Sequence, residues 1–273
     1  NPSAFSTSET NHGVEAAARK RRFLLNIVSL DESDMDSVKA RVRMGLSIRP
    51  AGVIVYEYDR AGIAALEYIP KDMPMVVVGG SFGDGEYQVI NAERDGGRWM
   101  TMHLLDLGHR TVFHVGRPEG PTDNTRTNGW RDALKERGVT APDPIIVPDD
   151  DLEESVKAGR TLGRRGDVTA IFAGNDETAI AVIRGLREVG RRVPADVSVV
   201  GFDDRNFGAM WNPALTSYTQ NFLDMGERSF RMLFEQIQAK RAGDDAPPSR
   251  VEVVQGKPCL RASERAYGDG EIA

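Results

Sequence analysis

Cysteine is nearly absent from this chain: 273 residues contain one, Cys259. A single thiol makes no internal disulfide and fits a reducing compartment such as the cytoplasm. Between Pro258 and Leu260 it reads as buried filler rather than a nucleophile. Histidine is scarce too, with four residues. His103, His109 and His114 lack the helical i, i+4 pair or cysteine partner that a zinc site needs, so no metal is expected. No apolar run approaches the ~20 residues of a transmembrane helix. Basic charge is not in excess, because 35 Lys and Arg against 41 Asp and Glu leave a net charge of -6. That argues against duplex binding through bulk charge. There is no G-x-G-x-x-G after a strand, no phosphate-binding P-loop and no G-x-S-x-G elbow. The glycine-rich run Gly79–Gly85 opens no helix and reads as a turn. Asp149–Asp151 reads as a solvated acidic loop, since its spacing matches no calcium loop. Nothing assembles a nucleophile with a base, so an enzyme is not favoured and no cofactor is expected.

What is present is a regular alternation of strand-like and helix-like stretches. Helices are expected over Ser8–Arg21, Ser33–Leu46, Gly62–Tyr68, Asp95–Leu107, Gly129–Glu136, Leu152–Leu162, Glu177–Val189 and Asp224–Gln238. Strands are expected over Phe23–Leu30, Val53–Tyr56, Met75–Val78, Tyr87–Asn91, Thr111–Gly116, Ile145–Val147, Thr169–Ala173, Val197–Gly201 and Val251–Val254. Trp99, Met100, Leu104 and Leu107 recur at helical spacing, and Gly108 is placed to end that helix in a left-handed conformation. Such alternation implies right-handed βαβ units and a doubly wound parallel sheet. The series is too long for one comfortable sheet, so two similar α/β lobes with a ligand cleft between them fit better.

In open parallel sheets ligands bind at the carboxyl ends of the strands. Tyr56, Asn91, Asn175 and Asp203 fall at such ends. Singly, an Asn or Asp after a strand reads as a helix cap or turn. Jointly, amides and carboxylates with an aromatic plate suit a polyhydroxylated ligand, because carboxylates accept from neighbouring hydroxyls and amides both donate and accept. Arg126, at the start of a helix, could fork onto ligand oxygens or pair with Asp123 or Asp132.

Several motifs in order carry a resemblance. Leu104–Arg110 (LLDLGHR), Arg126–Trp130 (RTNGW), Ile171–Asp176 (IFAGND) with Ala179, Gly190–Asp204 (GRRVPADVSVVGFDD), Asn212–Thr216 (NPALT) and Arg261–Ser263 (RAS) together resemble the effector-binding core of bacterial regulators of the lactose/galactose repressor family. The resemblance covers nearly the whole chain. It implies a periplasmic-binding-protein-like type I fold: two doubly wound parallel-sheet lobes joined by three crossing strands. The expected lobes are 1–91 plus 222–252 and 92–221 plus 253–273.

The resemblance implies Asn175, Asp203 and Arg126 as polar grips, with Tyr56 and Asn91 lining the N-terminal lobe. Gln220 and Phe222 would lie at a crossing, Phe222 as a stacking plate, and Phe5 and Ser6 at the start of the first helix. Partners implied are a small-molecule effector, expected to be a carbohydrate, a second copy of the chain, and operator DNA through an N-terminal helix-turn-helix. That head, its hinge helix and the core's first strand have no counterpart in this sequence, so DNA binding is carried by no residue here. Gly79 stands where some sugar-binding members have an acid, and Asp149–Asp151 where some have a Trp, which points away from a lactose-like effector. A periplasmic sugar-binding protein of a transporter is the alternative with the same fold, and a sugar- or nucleotide-acting enzyme a third reading.

Overall fold

A computed structural model describes residues 5–31, 33–80, 87–118, 122–148 and 151–268. The chain forms two compact units. The first takes the residues up to Asn91, with Thr122 and Asn221–Gln255; the second takes the rest of the chain from Ala92 to Gln220 and from Gly256 onward.

In the first unit the elements run α1 (Phe5–Lys20), α2 (Met35–Ser47), β1 (Val53–Glu57), α3 (Arg60–Leu66), β2 (Met75–Gly79) and β3 (Gln88–Asn91). Its sheet is parallel, in the order β1-β2-β3 followed by a late strand, Val251–Val254, supplied after a long helix, Phe222–Ala242. Val76, Val78 and Val89 face Met225, Met232 and Leu233 of that helix, while Val55 packs against Val38, Ala61 and Ala65 on another side. Apolar residues on both faces are what a doubly covered parallel sheet demands.

The second unit contributes α4 (Glu93–Asp106), β4 (Phe113–Gly116), α5 (Arg126–Glu136), β5 (Ile145–Ile146), α6 (Leu152–Gly163), β6 (Ala170–Ala173), α7 (Asp176–Glu188), β7 (Ser198–Val200), α8 (Asn206–Met210) and β8 (Ser217–Thr219). The helix and strand of the first unit already described are α9 and β9, and β10 (Lys257–Cys259) follows them. The second sheet is parallel in the order β5-β4-β6-β7, and β8 pairs antiparallel with β10. Ala170 and Phe172 of β6 face one core with Met100, Leu104 and Trp130, and Ile171 and Ala173 face the other with Leu162, Val182 and Leu186.

The expected strand Phe23–Leu30 is not one. It forms no regular structure, and Leu24 and Ile27 are 93% and 59% exposed. Apolar residues report tolerance of burial, but a strand exists only through ladder hydrogen bonds to a neighbour. Among the described residues this segment pairs with none. A groove of about 440 Å³ lies along it, lined by Leu25, Ile27, Val42, Ile54 and Val55. The short pair β8 and β10 and the helix α8 were not anticipated, because three to five residues carry too little periodicity. The glycine-rich run from residue 81 and Asp149–Asp150 lie outside the described residues. Asp151 is the N-cap of α6, its carboxylate accepting from the Glu154 N–H at 3.0 Å.

Gly226, a flaw in α9 by propensity, is there for packing. A Cβ on it would sit 2.1 Å from the Thr10 carbonyl oxygen of α1, and one on Gly13 2.1 Å from that of Leu223. Backbone-to-backbone approach leaves no flexible side chain to yield. Gly226→Ala is therefore expected to lower stability by about 1–3 kcal/mol despite alanine's better helix propensity. A urea midpoint at or above that of the parent would contradict this.

Candidate functional site

The second unit gathers a polar cluster at the carboxyl ends of its strands. In the order β5-β4-β6-β7 the direction of strand addition reverses between β4 and β6, the switch point where such sheets open a crevice. Arg126 stands there. Thr125 caps α5, its hydroxyl accepting from the Asn128 N–H at 3.1 Å, which puts Arg126 in the first helical position. Its guanidinium lies 4.1 Å above the ring centroid of the buried Phe202 and donates through Nη1 to the Gly174 carbonyl just beyond β6. Nη2 donates to Asp203 Oδ1 at 3.0 Å, and Nε to Glu93 Oε2 at 3.2 Å. Neither Asp123 nor Asp132 is its partner; Asp132 pairs with Arg94.

Asp203 follows β7 with φ +91°, and Asp204 with φ +50°. Two successive non-glycine residues in this region are costly and persist only where the surroundings hold them. Here the Asp203 N–H donates to the Tyr218 carbonyl at 2.9 Å and the Asp204 N–H to Ser217 Oγ at 3.0 Å. The Asp204 carboxylate accepts from Arg261 and Thr219, both at 2.6 Å. Burial acts to raise its pKa, but these hydrogen bonds and the Arg261 charge outweigh it and the pKa falls. Asp204 is thus an anchor, and the turn it fixes aims Asp203 at Arg126. Gln220 Nε2 donates to Asp203 Oδ1 at 2.7 Å, while Gln220 Oε1 is buried with no hydrogen-bond partner among the described residues.

Asn175 does what its bland reading says: its Oδ1 caps α7, accepting from the Thr178 N–H at 2.8 Å. Its amide N–H groups have no hydrogen-bond partner among the described residues. Asp176, the first residue of α7, is fully buried; it accepts from Ser217 Oγ and the Arg205 N–H, each at 2.6 Å. Burial pushes its pKa up to about 7. In the folded state it therefore keeps a proton that the unfolded chain, near 3.8, has released, so its contribution to stability falls as pH rises from about 4 to 7. His114, stacked between Trp130 and Phe172, works the other way: burial lowers its pKa to about 4, and stability is lost as pH falls from 6.5 toward 4. Asp176→Asn should expose the His114 slope, making stability rise with pH across 4–7 more steeply than in the parent by up to about 1.4 kcal/mol per pH unit. Urea titrations at pH 5 and 7 measure this; parallel shifts of both proteins would refute it.

In the first unit, Tyr56 in β1 donates its hydroxyl to Asn11 Oδ1 at 2.7 Å, and burial pushes its pKa up. Asn91 ends β3 and is buried. Phe5 and Ser6 form the first turn of α1, and Phe5 meets the Phe222 ring edge-on at 5.9 Å. Phe222, expected as a stacking plate, is 4% exposed and packs with Val76, Val78 and Met225. Sequence reasoning missed Glu93 and Asn11. Glu93 lay two residues before the expected start of its helix; its only signal was the preference of helix N-termini for acids. Asn11 had none.

The sequence profile of the periplasmic binding protein-like domain family matches residues 101–263. The transcriptional repressor PurR of Yersinia enterocolitica is 30% identical over 253 residues, spanning 90% of this chain and 72% of that protein. PurR of Erwinia tasmaniensis is 32% identical over 241 residues, 86% of this chain and 70% of that protein. Among solved structures, the regulator CelR in complex with cellobiose superimposes with a TM-score of 0.80 at 26% identity, covering 94% of this chain and 79% of that one. A lac repressor dimer on its operator gives 0.78 at 22% identity over 97% and 92% of the two chains, which speaks for the fold alone. The chain belongs to the lactose/galactose repressor family and forms the effector-binding core of a transcription regulator. These relatives do not favour the transporter component.

Proposed function

We propose that this core senses a sugar or sugar-like polyol through Arg126, Asp203, Gln220 and Asn175, and passes the binding event to operator DNA as a homodimer working in the cytoplasm. The observation that carries the ligand reading is the Arg126–Asp203–Gln220 cluster at the switch point, held by a strained turn and ending in a buried amide oxygen that needs a donor. The cellobiose complex of CelR supports a carbohydrate. The first-unit residues Tyr56, Asn91, Phe5, Ser6 and Phe222 are assigned to the same ligand by family resemblance. The protein acts by binding and not by turnover, as its repressor relatives do. Effector binding changes DNA affinity only by the difference in its affinity for two conformations of the dimer. A two-fold dimer matches a palindromic operator. Met44 and Ile48, on and just after α2, are exposed apolar side chains, and the dimer face is assigned there.

A thermal-shift screen of neutral sugars tests this. A ligand at ~100 times its Kd should stabilise the native state by about 2.7 kcal/mol. If no sugar or polyol raises the melting temperature while another chemical class does, the carbohydrate assignment is wrong.

A further inference from the structure

Resting on the reading that this cluster holds the effector, we propose that Glu93 is a specificity-determining residue, which closes Arg126 to anions and restricts the ligand to one without negative charge at that end. An arginine in a ligand site is ordinarily a receptor for carboxylate or phosphate, which its fork matches. Here four of its five N–H groups are already engaged. Nε faces Glu93 Oε2 at 3.2 Å, Nη2 faces Asp203 at 3.0 Å and Glu93 Oε1 at 3.5 Å, and Nη1 donates to the Gly174 carbonyl. The ring of Phe202 covers one face of the guanidinium.

Two carboxylates around one guanidinium leave the cluster with a charge of about -1. The spare donors are one Nη1 N–H and the neutral amide of Asn175, and the spare acceptors are the second oxygen of Asp203 and the buried Oε1 of Gln220, which has no donor among the described residues. Such a set takes hydroxyl or N–H groups and repels phosphate. Asp203 is also bonded to Gln220 and held by its turn, so Glu93 is the removable half of the closure; its side chain is one-third exposed in the first turn of α4. Nothing in α4 requires the charge, since Asp95 supplies a second acid to the helix N-terminus.

The test uses the whole chain and Glu93→Gln, which keeps the shape of the side chain. In one arm, inorganic phosphate is titrated against sodium chloride of equal ionic strength and the melting temperature followed. The parent should show no saturable stabilisation, and Glu93→Gln should bind phosphate at least roughly tenfold more tightly, as removal of one charge about 6 Å away implies. Saturable phosphate binding by the parent, or equal responses of the two proteins, overturns the proposal. In the other arm, glucose and ribose are compared with glucose 6-phosphate and ribose 5-phosphate. Glu93→Gln should shift the preference toward the phosphates. If no neutral sugar binds either protein while the phosphate arm behaves as stated, the carbohydrate reading fails and the closure by Glu93 stands.

Discussion

Asp203→Asn is expected to weaken effector binding by about 30- to 100-fold while leaving the unliganded protein nearly as stable as before. The substitution removes the charge that faces Arg126 and Gln220. A hydrogen bond from a ligand hydroxyl to a carboxylate contributes about 1.5–3 kcal/mol, and its loss leaves the donor poorly paired. Glu93 and the Gly174 carbonyl still hold Arg126, so the unliganded fold is spared. Asparagine tolerates the left-handed backbone that φ +91° demands. Asp203→Ala should lose the same affinity and in addition about 1–2 kcal/mol of stability, because a Cβ without a local hydrogen bond is disfavoured there. Asp203→Gly should keep the stability and lose the affinity. Titration calorimetry with the effector found by screening, beside urea melts of the three variants, separates the two effects. Unchanged affinity in all three would remove Asp203 from the site.

Trp130→Ala should produce the largest loss of stability. Trp130 is fully buried, packs with Met100, Leu104, Leu134 and Phe172, and stacks on His114 at 5.2 Å. Its Nε1–H donates to the Val112 carbonyl at 2.8 Å. Deleting a buried Trp costs about 3–5 kcal/mol, and a buried carbonyl without its donor adds to that. At about 2–4 °C per kcal/mol for a domain of this size, the melting temperature should drop by roughly 6–20 °C. Effector affinity should fall as well, because Phe202, which supports the Arg126 guanidinium, belongs to the same core. Trp130→Phe should cost less than half as much. A circular-dichroism melt showing Trp130→Ala within about 3 °C of the parent would mean the core rearranges to fill the space.

The parts of the fold legible in sequence were those with long periodic signals. Helix α7, with Val182, Ile183 and Leu186 facing the core and Gly190 beyond its end at φ +80°, and strand β6, apolar on both faces, could be read directly. Phe23–Leu30 has an equally apolar pattern and is no strand, because pairing depends on a neighbour that a pattern cannot supply. Gly226 looked like a weakness in α9; only the approach of the α1 backbone shows that nothing larger fits.

The same division runs through the candidate site. The sequence by itself determined which chemistry stands at the strand ends: Asn175 after β6, Asp203 after β7, Arg126 at the head of α5. It could do so because strand ends and helix starts are local features, marked by where apolar runs stop and capping residues begin. Tertiary structure alone decided who partners whom. Arg126 meets Glu93, 33 positions earlier, and Asp203, 77 positions later, and not the nearby acids Asp123 and Asp132. It also decided that Asn175 is half committed as a cap, that Phe222 is core, and that Gln220 keeps an acceptor in reserve. Hydrogen bonding and burial depend on distances in space between residues far apart along the chain, and those distances exist only once the sheet has set its strand order.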